Sequence, residues 1–128
     1  LTRNSDWKIL VRAVVESVAY QSYDLFNAMR KDGLKPSIVK VDGGMVANNW
    51  FSQFLSDIID LNVIRPRVLE TTALGVALFA GYQVGEFKSL NEIKHVWKKD
   101  RVFSPKLKKS LRNKLLQGWK LAIRKTLA

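Results

Sequence analysis

The element order helix, strand, helix, strand, helix predicts an α/β fold, rich in helix, with a short set of parallel strands. Three observations carry it. Apolar residues recur at helical spacing from Ile9 to about Arg30, two short β-branched runs are each bounded by proline or glycine, and the stretch VDGGMVANNW joins the first run to a helix. Two strands joined through a helix most often lie parallel. Two short strands make a poor sheet, so the chain is expected to form part of a larger sheet or a larger protein.

The first helix is marked by Val11, Val14, Val15, Val18, Leu25 and Met29, and Gly33 is placed to end it in a left-handed conformation. Lys35-Pro36 breaks the chain, and Ser37 to Val41 suits a strand buried in a sheet. The second helix starts near Asn48 or Asn49, with Trp50, Phe51, Phe54, Leu55, Ile58 and Ile59 as its apolar side. A second strand, Asn62 to Ile64, stops before Pro66. In ETTALGVALFAGYQVG, Thr71 is read as the cap of a helix opening with Ala73, Leu74, Gly75 and Ala77. Small residues at that density imply close approach by a neighbour, so this helix is expected to be buried. Ser89 to Lys98 opens with a capping box, Ser89 and Glu92. Ser104-Pro105 reads as the start of a final helix with Leu107, Leu111, Leu115, Trp119 and Ile123 on one face. The chain carries no internal repeat and no low-complexity linker.

One domain fits 128 residues, and 47% hydrophobic content is enough to fill a core. No run of roughly twenty apolar residues exists, and the amino end lacks a basic-then-apolar pattern, so neither membrane spanning nor secretion is expected. With no cysteine the chain has neither disulfides nor thiolate metal sites, which fits a cytoplasmic setting. The net charge is +11, unevenly spread: residues 1–93 balance ten basic against ten acidic side chains, while residues 94–128 hold twelve basic groups and the single acid Asp100. Any electrostatic function therefore belongs to the tail.

Gly43 and Gly44 follow the first strand directly and precede a helix. Such a junction presents backbone N–H groups and the positive end of a helix dipole at one point, where phosphate binds well. Glycine lets a ligand approach the backbone or permits a positive φ. The same pattern also serves as an ordinary turn, and Asn48 and Asn49 serve equally to cap the helix or to offer an amide to a ligand.

VDGGMVANNWFSQFLSDII, followed by NVIRP and ETTALGVALFAGYQVG, resembles the carboxy-terminal part of the FGGY carbohydrate kinases, most closely their glycerol-phosphorylating branch. RAVVESVAYQ is similar to the end of that family's second signature, and VWKKDRVFSP and GWKLAIRKT to its closing region, so the resemblance runs from Leu1 over essentially the whole chain. It implies an actin-like, ribonuclease-H-like ATPase fold, with residues 1–93 as the carboxy-terminal part of the nucleotide-binding domain. Residues 94–128 are then a basic helical extension packed on the same domain. ATP or ADP, with Mg2+, is the implied cofactor, and Gly43, Gly44, Met45 and Asn48 are the implied nucleotide contacts. The acceptor that the resemblance implies is glycerol, held by the part upstream of this chain. The family's catalytic aspartate, acceptor residues and first phosphate loop lie upstream of these residues, so no catalytic or metal-ligating residue is expected here. The isolated chain is accordingly expected to be inactive. Three positions depart from the family: Met45 and Asp60 replace a small residue and a glycine, and Ile9 a polar one.

His95 reads as an ordinary helix residue, and Asp42 as either a magnesium contact or a turn residue. Glu70, Thr71 and Thr72 match a family motif but read as a helix cap. The rival functional reading is a basic module: Lys106, Lys108, Lys109, Arg112, Lys114, Lys120, Arg124 and Lys125 surround the leucine stripe as in helices that meet anionic membrane or nucleic acid. Packing of that stripe on the domain is the expected arrangement, so nucleic acid and membrane are not the expected partners. A third reading is a homo-oligomer contact, since strand edges without sheet partners favour association.

Overall fold

A computed structural model of the chain describes residues 6–127, so Leu1, at which the resemblance begins, lies outside the described residues. Helix α1 spans Trp7–Lys31. It starts two residues before Ile9, because the Asp6 side chain accepts from the Ile9 N–H at 3.0 Å and caps it. At its end Gly33 adopts φ +90°, and the Leu34 N–H returns to the Met29 carbonyl at 3.0 Å.

Strand β1, Ile38–Lys40, leads through a 3-10 turn, Gly44–Ala47, into α2, Asn49–Ile59. This short helix is the centre of the core. Phe51, Leu55, Ile58 and Ile59 are buried together with Ala19 and Tyr20 of α1, and Val46 of the 3-10 turn closes the same cluster. Helix α2 ends at Asp60, whose φ of 60° is left-handed, the conformation that glycine usually supplies there. Aspartate tolerates that region better than most residues, and its carboxylate pairs with Arg112.

Strand β2, Asn62–Pro66, runs parallel to β1 with Val39 opposite Val63. It continues through Pro66 instead of stopping before it. The ladder to the next strand is irregular between Arg65 and Pro66, where the missing proline N–H costs nothing.

Helix α3, Thr71–Gln83, corrects the expectation of a buried helix: it has no buried residue, and Val76 and Phe79 are 67% and 64% exposed. Of its glycines, Gly81 lies against the Phe87 ring, whereas Gly75 faces open space. Its cap also differs. Glu70 stands at the cap position without a side-chain bond, and Thr71 is the first helical residue. Helix α4, Leu90–Val96, has Ser89 as its cap, accepting from the Glu92 N–H at 3.3 Å. It stops short of Lys98, since Trp97 is already extended.

Strand β3, Lys99–Phe103, was not expected. It pairs antiparallel with β2, so the sheet has the order β1-β2-β3 and is mixed. Only Phe103 of β3 is buried, so the strand is held by β2's free edge more than by an apolar face. The last helix, α5, Lys109–Leu127, starts later than Ser104-Pro105 implied. The reason is Asp57, a buried residue of α2, whose Oδ1 accepts from the N–H groups of Lys106 and Leu107 at 2.6 and 3.2 Å and holds residues 104–108 as a loop. Leu116 is buried against the core, and Trp119 stacks on Tyr20 at 5.4 Å while its Nε1 donates to Asp24 at 2.7 Å. Leu111, placed on the packing face by the sequence, is exposed, and Leu116 takes that role. Among the described residues, no helix is long and apolar enough to cross a membrane.

Candidate functional site

The end of β1 delivers the chain to the two glycines. The Val41 N–H donates to the Ile64 carbonyl at 3.1 Å, which extends the pairing with β2 by one bond. The Gly43 N–H then donates to the Leu69 carbonyl at 2.8 Å, tying the turn to the segment that leads into α3. Gly43 has φ +86°, a backbone that a β-carbon would strain. Gly44 opens the 3-10 turn, and a β-carbon built on it would meet no atom within 4 Å. The two glycines therefore answer different needs, the first conformation and the second open space.

The first N–H of the turn to find a partner is that of Val46, which donates to the Gly43 carbonyl at 3.3 Å. Among the described residues, the N–H groups of Gly44 and Met45 have no acceptor. Two adjacent free donors at the end of a strand favour an anionic oxygen. Met45 accepts from the Asn48 N–H at 3.2 Å, so the glycine turn and the head of α2 form one continuous unit.

That unit is held from beneath. Ser52 Oγ donates to the Val46 carbonyl at 2.9 Å, and Arg65 Nη1 donates to the carbonyls of Val46 and Ala47 at 2.9 and 3.1 Å. On its other side the Arg65 guanidinium meets Asp100 of β3, Nε at 2.8 Å and Nη2 at 2.7 Å from Oδ2, and it lies 5.3 Å from the centre of the Phe103 ring. Sequence reasoning missed Arg65. Its signal was there, since an arginine following Val63 and Ile64 in a strand needs partners that satisfy its donors.

Asn48 is the cap of α2, its Oδ1 accepting from the N–H groups of Trp50 and Phe51 at 2.9 and 3.3 Å. The cap occupies the carboxamide oxygen and leaves the NH2 group as the part available to a ligand. Asn48 lines a groove of about 330 Å³ between the first turns of α1 and the head of α2, together with Trp7, Val11, Arg12 and Trp50. Gly43, Gly44 and Met45 do not line that groove; Met45 is 46% exposed. The four residues are thus brought together along one turn, with the glycines on an open face and Asn48 at its border with the groove.

Asp42 accepts a hydrogen bond from the Thr71 hydroxyl, so the Thr that matched a family motif ties α3 to the end of β1. Asp42, Thr71, Lys40, Pro66 and Trp97 border a depression of about 240 Å³, with Lys40 Nζ 4.3 Å from the Trp97 ring centre. Among the described residues, no three His, Cys, Asp or Glu side chains cluster to hold a metal ion. His95 is exposed in the last turn of α4.

Residues 1–84 match the profile of the FGGY family of carbohydrate kinases, C-terminal domain. A glycerol kinase of Gluconobacter oxydans is 51% identical over 128 residues, covering 99% of this chain and 25% of that protein. One of Rhodospirillum centenum is 50% identical over 126 residues, covering 98% and 25%. In structure, the chain is similar to Plasmodium falciparum glycerol kinase with ADP, with a TM-score of 0.82 at 33% identity, covering 100% of this chain and 26% of that one. A ligand-bound xylulose kinase from Lactobacillus acidophilus shares the fold, with a TM-score of 0.75 at 24% identity over 99% of this chain and 26% of its own. The chain spans about a quarter of the length of the relatives it matches.

Proposed function

The chain belongs to the FGGY family of carbohydrate kinases, and from that membership we propose that it contributes part of the nucleotide site of an enzyme transferring the γ-phosphoryl group of ATP to glycerol. The observation that carries the reading is the open face of the glycine turn. Gly44 and Met45 present free N–H groups there, and no atom stands within 4 Å of the place a Gly44 side chain would take. A phosphate or ribose oxygen of ATP or ADP can approach the backbone of Gly43, Gly44 and Met45, and the Asn48 NH2 group lies at the head of the adjoining helix.

Glycerol as acceptor rests on relatives named glycerol kinase, each about half identical to this chain. Residues 1–93 supply the nucleotide-binding part, and residues 94–128 pack on the same domain, supported by the pairing of β3 with β2. Magnesium would enter with the nucleotide, since Mg2+ keeps waters and takes phosphate oxygens with one or two carboxylates. The described residues do not form a metal cage, so no step is assigned to an ion held by this chain. Phosphoryl transfer also needs a base and a bound acceptor alcohol, so the 128 residues alone are expected not to phosphorylate glycerol. Binding of anionic membrane or nucleic acid through residues 94–128 is the weaker reading, because Leu116 and Trp119 already spend the apolar side of α5 on the core.

Gly44→Arg tests the site. A β-carbon at Gly44 meets nothing within 4 Å, so the substitution is expected to leave the fold intact while the long side chain blocks the ligand's approach. ADP titration calorimetry on the protein is expected to show binding weakened by at least about a hundredfold, roughly 2.8 kcal/mol. ADP binding equal to wild type would refute the assignment.

A further inference from the structure

We propose that Arg65 and Asp100 form a strut that sets the geometry of the glycine turn, making Arg65 a positioning residue for the nucleotide. The inference rests on the nucleotide reading above. The Arg65 side chain bonds both the turn and the strand β3. Its Nη1 takes the carbonyls of Val46 and Ala47, the last two residues of the 3-10 turn, at 2.9 and 3.1 Å. Its Nε and Nη2 take the Asp100 carboxylate at 2.8 and 2.7 Å. The arginine side chain is only 12% exposed, while Asp100 is 42% exposed and reaches it from the rim.

The arrangement fits a positioning role for three physical reasons. Carbonyls at the carboxyl end of a short helical turn carry partial negative charge and need donors, and a guanidinium supplies two at fixed spacing. The planar fork also fixes the angle between the turn and the sheet, which a flexible ammonium would not do. Finally, Asp100 orients the guanidinium from the side opposite the turn and balances its charge in a largely buried setting. The single acid of a segment with twelve basic groups is thus spent on this one arginine. Rotation of the turn by a small angle would move the Gly44 and Met45 N–H groups away from a bound oxygen, so the strut acts on affinity through the backbone.

The test compares ADP dissociation constants of the protein with those of Arg65→Lys and Asp100→Asn, well below each variant's Tm. Val63→Ala, which thins the core beneath the same strand, serves as the control for general loosening. Arg65→Lys is expected to raise the ADP Kd at least about tenfold while Val63→Ala, with a comparable fall in Tm, leaves it unchanged. Asp100→Asn is expected to raise it by a smaller factor, and the double variant to be no worse than Arg65→Lys alone, as for two parts of one device. Wild-type affinity in Arg65→Lys, equal weakening in Val63→Ala, or additive losses in the double variant would each overturn the proposal. If Gly44→Arg itself binds ADP normally, the nucleotide reading has failed; if it loses ADP while Arg65→Lys does not, only the strut has failed.

Discussion

Tyr20 stands where three helices meet, its ring edge-on to Phe54 of α2 at 5.7 Å and stacked on Trp119 of α5, and its hydroxyl 3.5 Å from the Glu16 carboxylate. Burial first, then the Glu16 charge and the hydrogen bond to Glu16, push its pKa up from 10.0 to about 12, with Arg12 opposing. The native state therefore holds the proton more tightly than the unfolded chain. The stability tied to this proton is complete below pH 10.0 and is lost as pH rises through about 12. Denaturant unfolding across that window is expected to show a decline that Tyr20→Phe largely removes; an equal decline in the variant would contradict it. At the same scale, the positive φ of Gly33 and the capping role of Asn48 were legible, because each follows from the stereochemistry of one residue type. The Arg65–Asp100 pair was not legible, because its members are 35 residues apart and meet only through sheet pairing.

At the scale of elements, Asp57 decides where α5 begins. Its Oδ1 gathers the N–H groups of Lys106 and Leu107 and the Gln53 amide, so a proline-led helix start at Ser104-Pro105 loses to a loop pinned on α2. Asp57→Ala removes the acceptor of the Lys106 and Leu107 N–H groups and is expected to cost about 2 kcal/mol in denaturant unfolding, with faster amide exchange at both. Unchanged exchange at both amides would contradict the pinning. The helices α1, α2 and α5 were legible from their spacing, and part of each faces a common core, although Val11, Val14 and Leu25 of α1 and Leu111 of α5 are exposed. Strand β3 was not, since three of the five residues in KDRVF are charged and the strand is made by the free edge of β2. For α3 the small residues were read as a sign of burial, and the structure contradicts that, since no residue of the helix is buried.

For the whole molecule, the charge and the exposed apolar surface divide by region. The basic excess lies in residues 94–128, and the first half of α1 exposes Trp7, Ile9, Leu10, Val11 and Val14, while α3 exposes Val76 and Phe79. Exposed apolar faces of this extent on two helices mark interaction surfaces, which accords with a chain spanning about a quarter of its relatives' length. The family and the actin-like type of fold were legible through the ordered run of motifs. The sequence placed Gly43, Gly44, Met45 and Asn48 along one turn, whereas the open space at Gly44 and the support by Arg65 arise only from how distant segments meet in the fold. The most direct measurement of the central claim is a crystal structure of the protein with ADP. The nucleotide is expected against the backbone of Gly43, Gly44 and Met45, with the Asn48 NH2 group within hydrogen-bond reach; ADP bound elsewhere, with that turn left in solvent, would contradict the account.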